Sequence, residues 1–293
     1  KVFFDPNAVT GRIASVLKSE LREAQDAANG RPESMKAFDL ALRGNVLLFN
    51  PRGVADYQKA HAILSRAVEM DDTIAYAWAG LAFVHYVASL RHVPGVSMPD
   101  SKARSLDAAR RAVALDPANA EGHWMIGVGL SRNGAPEQGM SACETAREIN
   151  PNNDCAYVCA GLASMAMGEP EEAIPKFEHS LRLNPRFCTF TKRKYIGLAY
   201  LHAGRDEDAI DALNRALAGN PDDPVAILAL AAAQALNGHD LKAKASLQAA
   251  LTLPGSPSTL HDLRQSHGWM GPGFDRMLEG LRASGLDLAK AAE

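Results

Sequence analysis

The chain has little of four things: cysteine, aromatic side chains, net charge and long apolar runs. Of its 293 residues only 4 are cysteine and 6% are aromatic, and the formal net charge is −3. So small a charge provides no overall attraction to a polyanion, and we therefore predict no nucleic-acid partner. No apolar run approaches the roughly 18–20 residues that cross a bilayer, so we predict no membrane span.

The cysteines and the first residues of the chain indicate the cellular compartment in which the protein is expected. Cys143, Cys155, Cys159 and Cys188 lack the spacing of a disulfide framework. Cys155 and Cys159 are four residues apart, but no third and fourth ligand follows at zinc-site spacing. Cysteines of this kind are typical of small core residues in a reducing compartment, and the first residues do not form a signal peptide. We expect a cytoplasmic protein.

Common catalytic patterns are also missing. The 9 histidines include no His-Glu-x-x-His, and no serine lies in Gly-x-Ser-x-Gly. Gly127-Val128-Gly129 superficially resembles a phosphate-binding loop, but such loops follow a β-strand, whereas these glycines lie within a predicted helix. We therefore predict that this chain is not an enzyme and that it binds no cofactor or metal ion. Any catalytic activity would reside in another domain.

What the chain does contain is Ala and Leu in quantity and a proline at near-constant intervals. Hydrophobic residues make up 47% of the sequence, and Ala and Leu have high helix propensities. The prolines recur after 34, 34 and 36 residues, which is the length of one helix-turn-helix unit in a stacked array. They stand in Asp116-Pro117, Asn150-Pro151, Asn184-Pro185 and Asn220-Pro221. The sequence therefore predicts an all-α solenoid.

The register of these prolines divides residues 33–255 into six predicted repeats. The middle three are regular and the outer three are degenerate, which is typical of units that close a stack against water. The predicted repeats are 37–72, 75–119, 120–153, 154–187, 190–223 and 224–255.

Two further helical segments flank the predicted array. Residues 7–28, within an N-terminal segment 1–32, place apolar side chains such as Val9, Ile13 and Leu17 at helical spacing. Residues 256–293 contain a second apolar face that includes Phe274 and Leu278, followed by a tail. We expect this C-terminal helix to cap the exposed flank of repeat six.

Small and bulky residues recur at fixed offsets within the repeats. Gly127, Gly161 and Gly197 hold the same place in three first helices, and Trp78-Ala79-Gly80-Leu81 lies at the matching place in repeat two. The pattern resembles the tetratricopeptide repeat, with its Trp-x-x-Leu-Gly-x-x-Tyr start and closing Pro. The resemblance implies a right-handed α-solenoid of about six helix pairs with flanking N- and C-terminal helices, which binds a protein or peptide segment.

The segments that flank the predicted repeats are similar to those of one group of multidomain proteins that contain such arrays. Residues 9–17, 37–44 and 274–286 resemble segments of bacterial proteins that carry a class III adenylate cyclase or winged-helix domain before the array. There the first segment ends an upstream α/β domain. The resemblance implies that this chain is the regulatory or assembly part of a bacterial signalling protein such as an adenylate cyclase.

The tetratricopeptide resemblance also implies which side chains line the concave groove, since the first helix of each repeat faces it. Aromatic and Arg side chains are enriched at binding hot spots, so we expect Tyr86, Trp124 and Arg132 to form the centre of a site for an amphipathic helix or an extended apolar segment. A tightly coiled array could instead bury its aromatics against its own terminal helix. The predicted groove residues are Tyr76, Phe83, Tyr86, Trp124, Val128, Arg132, Met165, Lys194 and His202.

Two alternatives stay open at this point. The groove of a ligand-sensing regulatory domain would hold a small apolar molecule instead of a protein segment. A secondary basic patch of Arg186, Lys192 and Arg193 lies at the turn between repeats four and five. Cations near a helix C-terminus fit a plain solvated turn, or they fit an acidic or phosphorylated partner.

Overall fold

The structure is a computed structural model that describes residues 32–49, 51, 53–90, 92–253, 256, 263 and 272–286. The helix predicted at 7–28 lies outside the described residues. Every regular element in the described part of the chain is a helix, so the all-α prediction is confirmed. None of the described helices is both long enough and apolar enough to cross a membrane.

Thirteen helices lie in the described residues, twelve in six successive pairs and one after them. The odd-numbered member of each pair is the first helix of its repeat, and the even-numbered member is the second. The bounds are α1 Pro32–Phe49, α2 Val54–Met70, α3 Ala75–Leu90, α4 Ser101–Leu115, α5 Ala120–Arg132, α6 Pro136–Ile149, α7 Asp154–Ala166, α8 Pro170–Leu183, α9 Thr189–His202, α10 Asp206–Leu217, α11 Pro224–Leu236, α12 Asp240–Thr252 and α13 Pro272–Ala283.

Three of the six first helices, α5, α7 and α11, begin at side-chain caps. Asn119 accepts a hydrogen bond from the Gly122 N–H at the start of α5, and Asn153 accepts one from the Cys155 N–H at the start of α7. Asp223 accepts two such bonds at the start of α11. These side chains accept hydrogen bonds from backbone N–H groups that have no partner within the first turn of a helix.

A glycine with positive φ closes the turn between the two helices of four repeats. The φ angles lie between 75° and 84°, a left-handed conformation in which a side chain would be strained. The same turn is therefore repeated at Gly134, Gly168, Gly204 and Gly238.

Within a repeat, a glycine of the first helix faces a large side chain of the second. A Cβ on Gly161 would lie 2.5 Å from Phe177 Cε1, and one on Gly197 would lie 2.6 Å from Leu213 Cγ. The absence of a side chain lets the two helices approach closely, and Phe177 and Leu213 are fully buried as a result.

The repeats stack because each second helix packs against the first helix of the next repeat, and most neighbouring first helices also touch. In the order of the chain, α1 contacts α3, α3 contacts α5, α5 contacts α7, and α9 contacts α11. Between repeats four and five the first helices α7 and α9 lie farther apart than the other neighbours. This is where the proline interval lengthens to 36 residues and where Cys188, the N-cap residue of α9, adopts φ 48°.

A disulfide joins repeats three and four. Cys143 on α6 and Cys159 on α7 have Cα atoms 5.6 Å apart, and both side chains are buried. The expectation that the cysteines form no disulfide is wrong at this pair, because helix packing brings together two residues that are 16 positions apart. Disulfides persist mainly in oxidising compartments, so this bond does not support the cytoplasmic location expected above.

The C-terminal helix α13 does not close the end of the stack. It packs on α11 and α9, the first helices of repeats six and five. A further repeat would have packed on the second helix α12, where Leu241 is 85% exposed. The expected cap on the flank of repeat six is therefore a helix on the face made by the first helices.

Candidate functional site

All nine predicted groove residues lie on first helices, but the structure separates them by burial. Trp124, Val128 and Met165 are 8%, 1% and 1% exposed, so they belong to the core rather than to an open wall. The other six are half-buried, which is the environment of residues that line a groove. They are Tyr76, Phe83, Tyr86, Arg132, Lys194 and His202.

An aromatic cluster connects α3 to α5 across the boundary between repeats two and three. The ring of Phe83 meets that of Trp124 edge to face with centroids 5.9 Å apart, and the ring of Tyr86 is 6.4 Å from that of Phe83. The guanidinium of Arg132 lies 5.9 Å from the Tyr86 ring centroid, within the range of a cation–π interaction. Tyr86, Trp124 and Arg132 therefore lie in one cluster, with Trp124 as its buried base.

A tyrosine pair spans the groove from repeat two to repeat five. The hydroxyl of Tyr86 interacts by a hydrogen bond with that of Tyr195 on α9, and burial raises the pKa of both groups above their ordinary value. Tyr195 also stacks on Phe177, with centroids 5.6 Å apart. Sequence reasoning missed Tyr195, whose offset in the first helix is not one that lines the groove in the regular repeat pattern.

Lys194 is committed to an ion pair. Its Nζ donates to Asp223 Oδ2 at 2.7 Å, and it lies 5.8 Å from the ring centroid of Tyr195. Burial alone would raise the pKa of the Asp223 carboxyl, but Lys194 and the backbone donors of Val225 and Ala226 outweigh burial and hold it below its usual value. Lys194 therefore ties α9 to the start of α11.

His202 lies beneath α13. A Cβ on Gly273 would overlap the His202 ring, so the two helices touch at this point. Burial, with a smaller contribution from Arg276, lowers the pKa of His202 to about 4. Its Nε2 is buried without a hydrogen-bond partner. The predicted groove is thus occupied by the chain's own helix at repeats five and six.

The predicted basic patch is wrong in one member. Lys192 is 2% exposed, and its Nζ donates to Asp154 Oδ2 at 2.5 Å and to the carbonyl oxygens of Asn184 and Ser180. All three ammonium donors are used inside the protein. Arg186 is exposed and Arg193 is half-buried, with a long hydrogen bond to the Arg215 carbonyl.

In the residues that the structure describes, no three or more His, Cys, Asp or Glu side chains are grouped as metal ligands would be. The rings of His61 and His85 meet edge to face with centroids 5.3 Å apart. Burial and the neighbouring positive charges lower the pKa of His85 to about 4. The described part of the groove therefore presents aromatic and cationic side chains.

Comparison with known proteins supports the same architecture. Residues 193–233 match the family model of the tetratricopeptide repeat. The fold is a tetratricopeptide-repeat solenoid.

Three similar proteins show how far the likeness extends. Anaphase-promoting complex subunit 3 of Schizosaccharomyces pombe is 21% identical over 170 residues, which cover 57% of this chain and 23% of that protein. The solved structure of the Cut9–Hcn1 hetero-tetramer of APC/C has a TM-score of 0.63 at 18% identity, covering 86% of this chain and 46% of that one. PilF of Pseudomonas aeruginosa has a TM-score of 0.52 at 22% identity, covering 78% and 95%. The chain spans less than half the length of the first two, and at these identities the structural likeness concerns the fold alone.

Proposed function

We propose that this chain is a protein-interaction module whose concave face binds a segment of another protein. The observation that carries the proposal is the cluster of Phe83, Tyr86 and Arg132, which is half-buried on two neighbouring first helices and backed by Trp124. Rigid aromatic side chains beside an Arg, set on a buried base, are the usual composition of a binding hot spot.

We further propose that this chain is the regulatory or assembly part of a larger bacterial signalling protein, such as one that carries an adenylate cyclase. The support for this setting is the resemblance of residues 37–44 and 274–286 to the flanks of such arrays. Expression of the full-length gene product would test it directly, because an upstream cyclase or winged-helix domain is required by this setting.

A protein segment suits the groove better than the alternative, a small apolar ligand. The hydroxyls of Tyr86 and Tyr195 meet across the groove, and Arg132 places positive charge beside the Tyr86 ring. A small apolar molecule would have to displace these groups without replacing their hydrogen bonds, which carries a desolvation penalty. A peptide brings its own carbonyl and carboxylate acceptors.

The test is partner capture by single-site variants. Tyr86→Ala and Arg132→Glu are each expected to reduce capture of a partner from the native organism's lysate at least tenfold. Arg132→Glu should leave the melting temperature nearly unchanged. Tyr86→Ala also removes a packed ring and its hydrogen bond with Tyr195, so its capture is measured at a temperature at which circular dichroism shows it folded. Trp124→Ala is unsuitable by itself, because loss of its buried ring would also open a cavity.

A matched charge reversal on the outer surface controls for charge alone. Arg110 lies on the second helix α4 and pairs loosely with Asp107, with the Arg110 side chain 58% exposed. Arg110→Glu should capture the partner as well as the unchanged chain does. Normal capture by both Tyr86→Ala and Arg132→Glu would place the partner elsewhere and defeat the proposal.

A further inference from the structure

The position of α13 points to a second binding surface, distinct from the aromatic cluster. Each second helix of the array packs against the first helix of the next repeat, so a terminal cap that mimicked a further repeat would pack on α12. Instead α13 lies across α11 and α9. It therefore occupies the face on which solenoids of this fold offer a groove to another molecule.

The contact is that of an amphipathic helix in a groove. Four apolar side chains of α13 are at most 4% exposed, and they recur at helical spacing. At the crossing point, a Cβ on Gly280 would lie 2.5 Å from the carbonyl oxygen of Ala232 and 2.7 Å from its Cα. Only a residue without a side chain lets the two backbones approach this closely. The four apolar residues are Phe274, Met277, Leu278 and Leu281.

One charged side chain fixes the orientation of α13 in the groove. The Arg276 guanidinium donates to both carboxylate oxygens of Asp206, at 2.9 and 2.7 Å, and its Nε donates to the Leu201 carbonyl at 2.8 Å. Both acceptors lie at the turn that joins α9 to α10. A planar guanidinium suits this paired recognition, which a Lys could not reproduce.

The fit of α13 is incomplete at His202. Its ring touches α13 at Gly273, and its Nε2 is buried without a hydrogen-bond partner. A helix that brought a hydrogen-bonding group to this atom would gain a contact that α13 does not make.

We propose that the surface formed by α9 and α11 is a receptor for a helix of a partner protein, and that α13 occupies it in cis until the partner displaces it. The partner helix has the chemistry of α13: an aromatic residue, Arg two positions later, apolar residues at positions three, four and seven, and Gly at position six. The inference rests on the proposed function and adds a second site and the chemical character of its ligand.

Competition with α13 of the same chain determines how tightly an added helix is expected to bind. The helix α13 belongs to the same chain as the surface that it covers, so its docking is intramolecular. A helix added in trans must therefore compete with α13. Weakening the attachment of α13 should strengthen binding of the same helix added in trans.

The experiment uses the full chain and a fluorescent peptide with the sequence of residues 272–286. In the chain variant Gly280→Leu the new side chain collides with the Ala232 backbone and releases α13. We expect this variant to bind the peptide at least tenfold more tightly than the unchanged chain does. Glu279→Leu is the matched control, because Glu279 is the exposed neighbour of Gly280, and it should bind the peptide no better than the unchanged chain.

The peptide carries its own controls. Peptides with Gly280→Leu or with Arg276→Glu should bind the Gly280→Leu chain at least tenfold more weakly than the unchanged peptide, because each loses one element of the contact. If both bind equally well, recognition is non-specific and the proposal is wrong.

Other results would also overturn the proposal. One is a Gly280→Leu chain that is helical by circular dichroism, with α13 unprotected in hydrogen exchange, yet does not bind the peptide. Another is continued protection of α13 in that chain, and a third is a dimer in sedimentation that exchanges α13 between two copies. Should Gly280→Leu fail to fold, the chain variant Arg276→Glu replaces it under the same criteria. The assay does not involve Tyr86 or Arg132, so its outcome is independent of the partner-capture test.

Discussion

The two boundaries of repeat four are held together in different ways. At the boundary with repeat three, the first helices α5 and α7 are in contact, Gly127 packs against two sulfur atoms, and a disulfide crosses the boundary. At the boundary with repeat five, α7 and α9 lie farther apart, and a buried ion pair of Lys192 with Asp154 connects them. Close packing of small residues at one boundary is replaced by a buried charge pair at the other.

The difference accompanies the turn before α9, where the N-cap residue Cys188 adopts φ 48°. Between α5 and α7 only small side chains fit, because a Cβ on Gly127 would collide with two sulfur atoms. Between α7 and α9 a longer side chain has room. Lys192 fills that space, and because its charge is buried it needs Asp154 and two carbonyl oxygens as partners.

The largest effect is expected from removing the cation at the boundary of repeats four and five. Lys192→Met should lower the free energy of unfolding by about 3–5 kcal/mol, because Asp154 would be left buried without its partner. Urea denaturation followed by circular dichroism measures the change. The double variant Lys192→Met with Asp154→Leu should recover most of the loss, and a double variant as unstable as the single one would contradict this account.

Reducing the disulfide tests the other boundary. A cross-link that closes a loop of about 15 residues stabilises by roughly 3 kcal/mol in the chain-entropy description, and Cys143 and Cys159 are 16 positions apart. Reduction with dithiothreitol should therefore shift the urea midpoint downward. Cys155→Ser serves as a control that leaves the bond intact, and equal midpoints with and without reductant would show that the bond contributes nothing.

Much of the solenoid could be predicted from the sequence, because glycine, alanine and proline recur at fixed offsets that only paired helices require. The fold class was predicted correctly for this reason. The burial of Lys192 could not be predicted, since a charged residue beside a turn is usually solvated and nothing local reveals Asp154 some 38 positions earlier. The apolar face of α13 indicated burial but not the surface on which it would dock. The Cys143–Cys159 bond likewise depends on helix packing rather than on cysteine spacing.

A third prediction concerns the small-residue packing between repeats three and four. Gly127→Ala should destabilise by about 1–3 kcal/mol, the usual range for overpacking, because the added Cβ would lie 2.5–2.8 Å from Cys159 Sγ, Cys143 Sγ and the Gly139 carbonyl oxygen. Gly129→Ala on the same helix meets only the Leu106 side chain at 3.2 Å. It should be nearly neutral in thermal denaturation, and comparable losses for both variants would contradict the packing explanation.

The smallest expected effect is a pH dependence of stability that arises at the contact of α9 with α13, beyond both boundaries. The disulfide and Gly127 do not titrate, whereas the pKa of His202 beneath α13 is about 4 against an ordinary 6.5. The unfolded chain therefore binds more protons at His202 between pH 6.5 and 4, so acidification through that window lowers stability. We expect a loss on the order of 1 kcal/mol at pH 5 relative to pH 7, measured by urea denaturation. His202→Leu should show a smaller loss, and an unchanged pH dependence would exclude His202 as its source.

The contact between Arg276 and Leu201 has a consequence for biosynthesis. It joins residues 75 positions apart, whereas the helix pairs of the array form from residues near one another in sequence. Contacts of short sequence separation form first. At about 5–20 residues per second, several seconds pass on the ribosome between synthesis of α11 and of α13. During that interval the surface of α9 and α11 on which α13 later docks is not yet covered by α13. A partner or chaperone can therefore bind this surface before α13 has been synthesised.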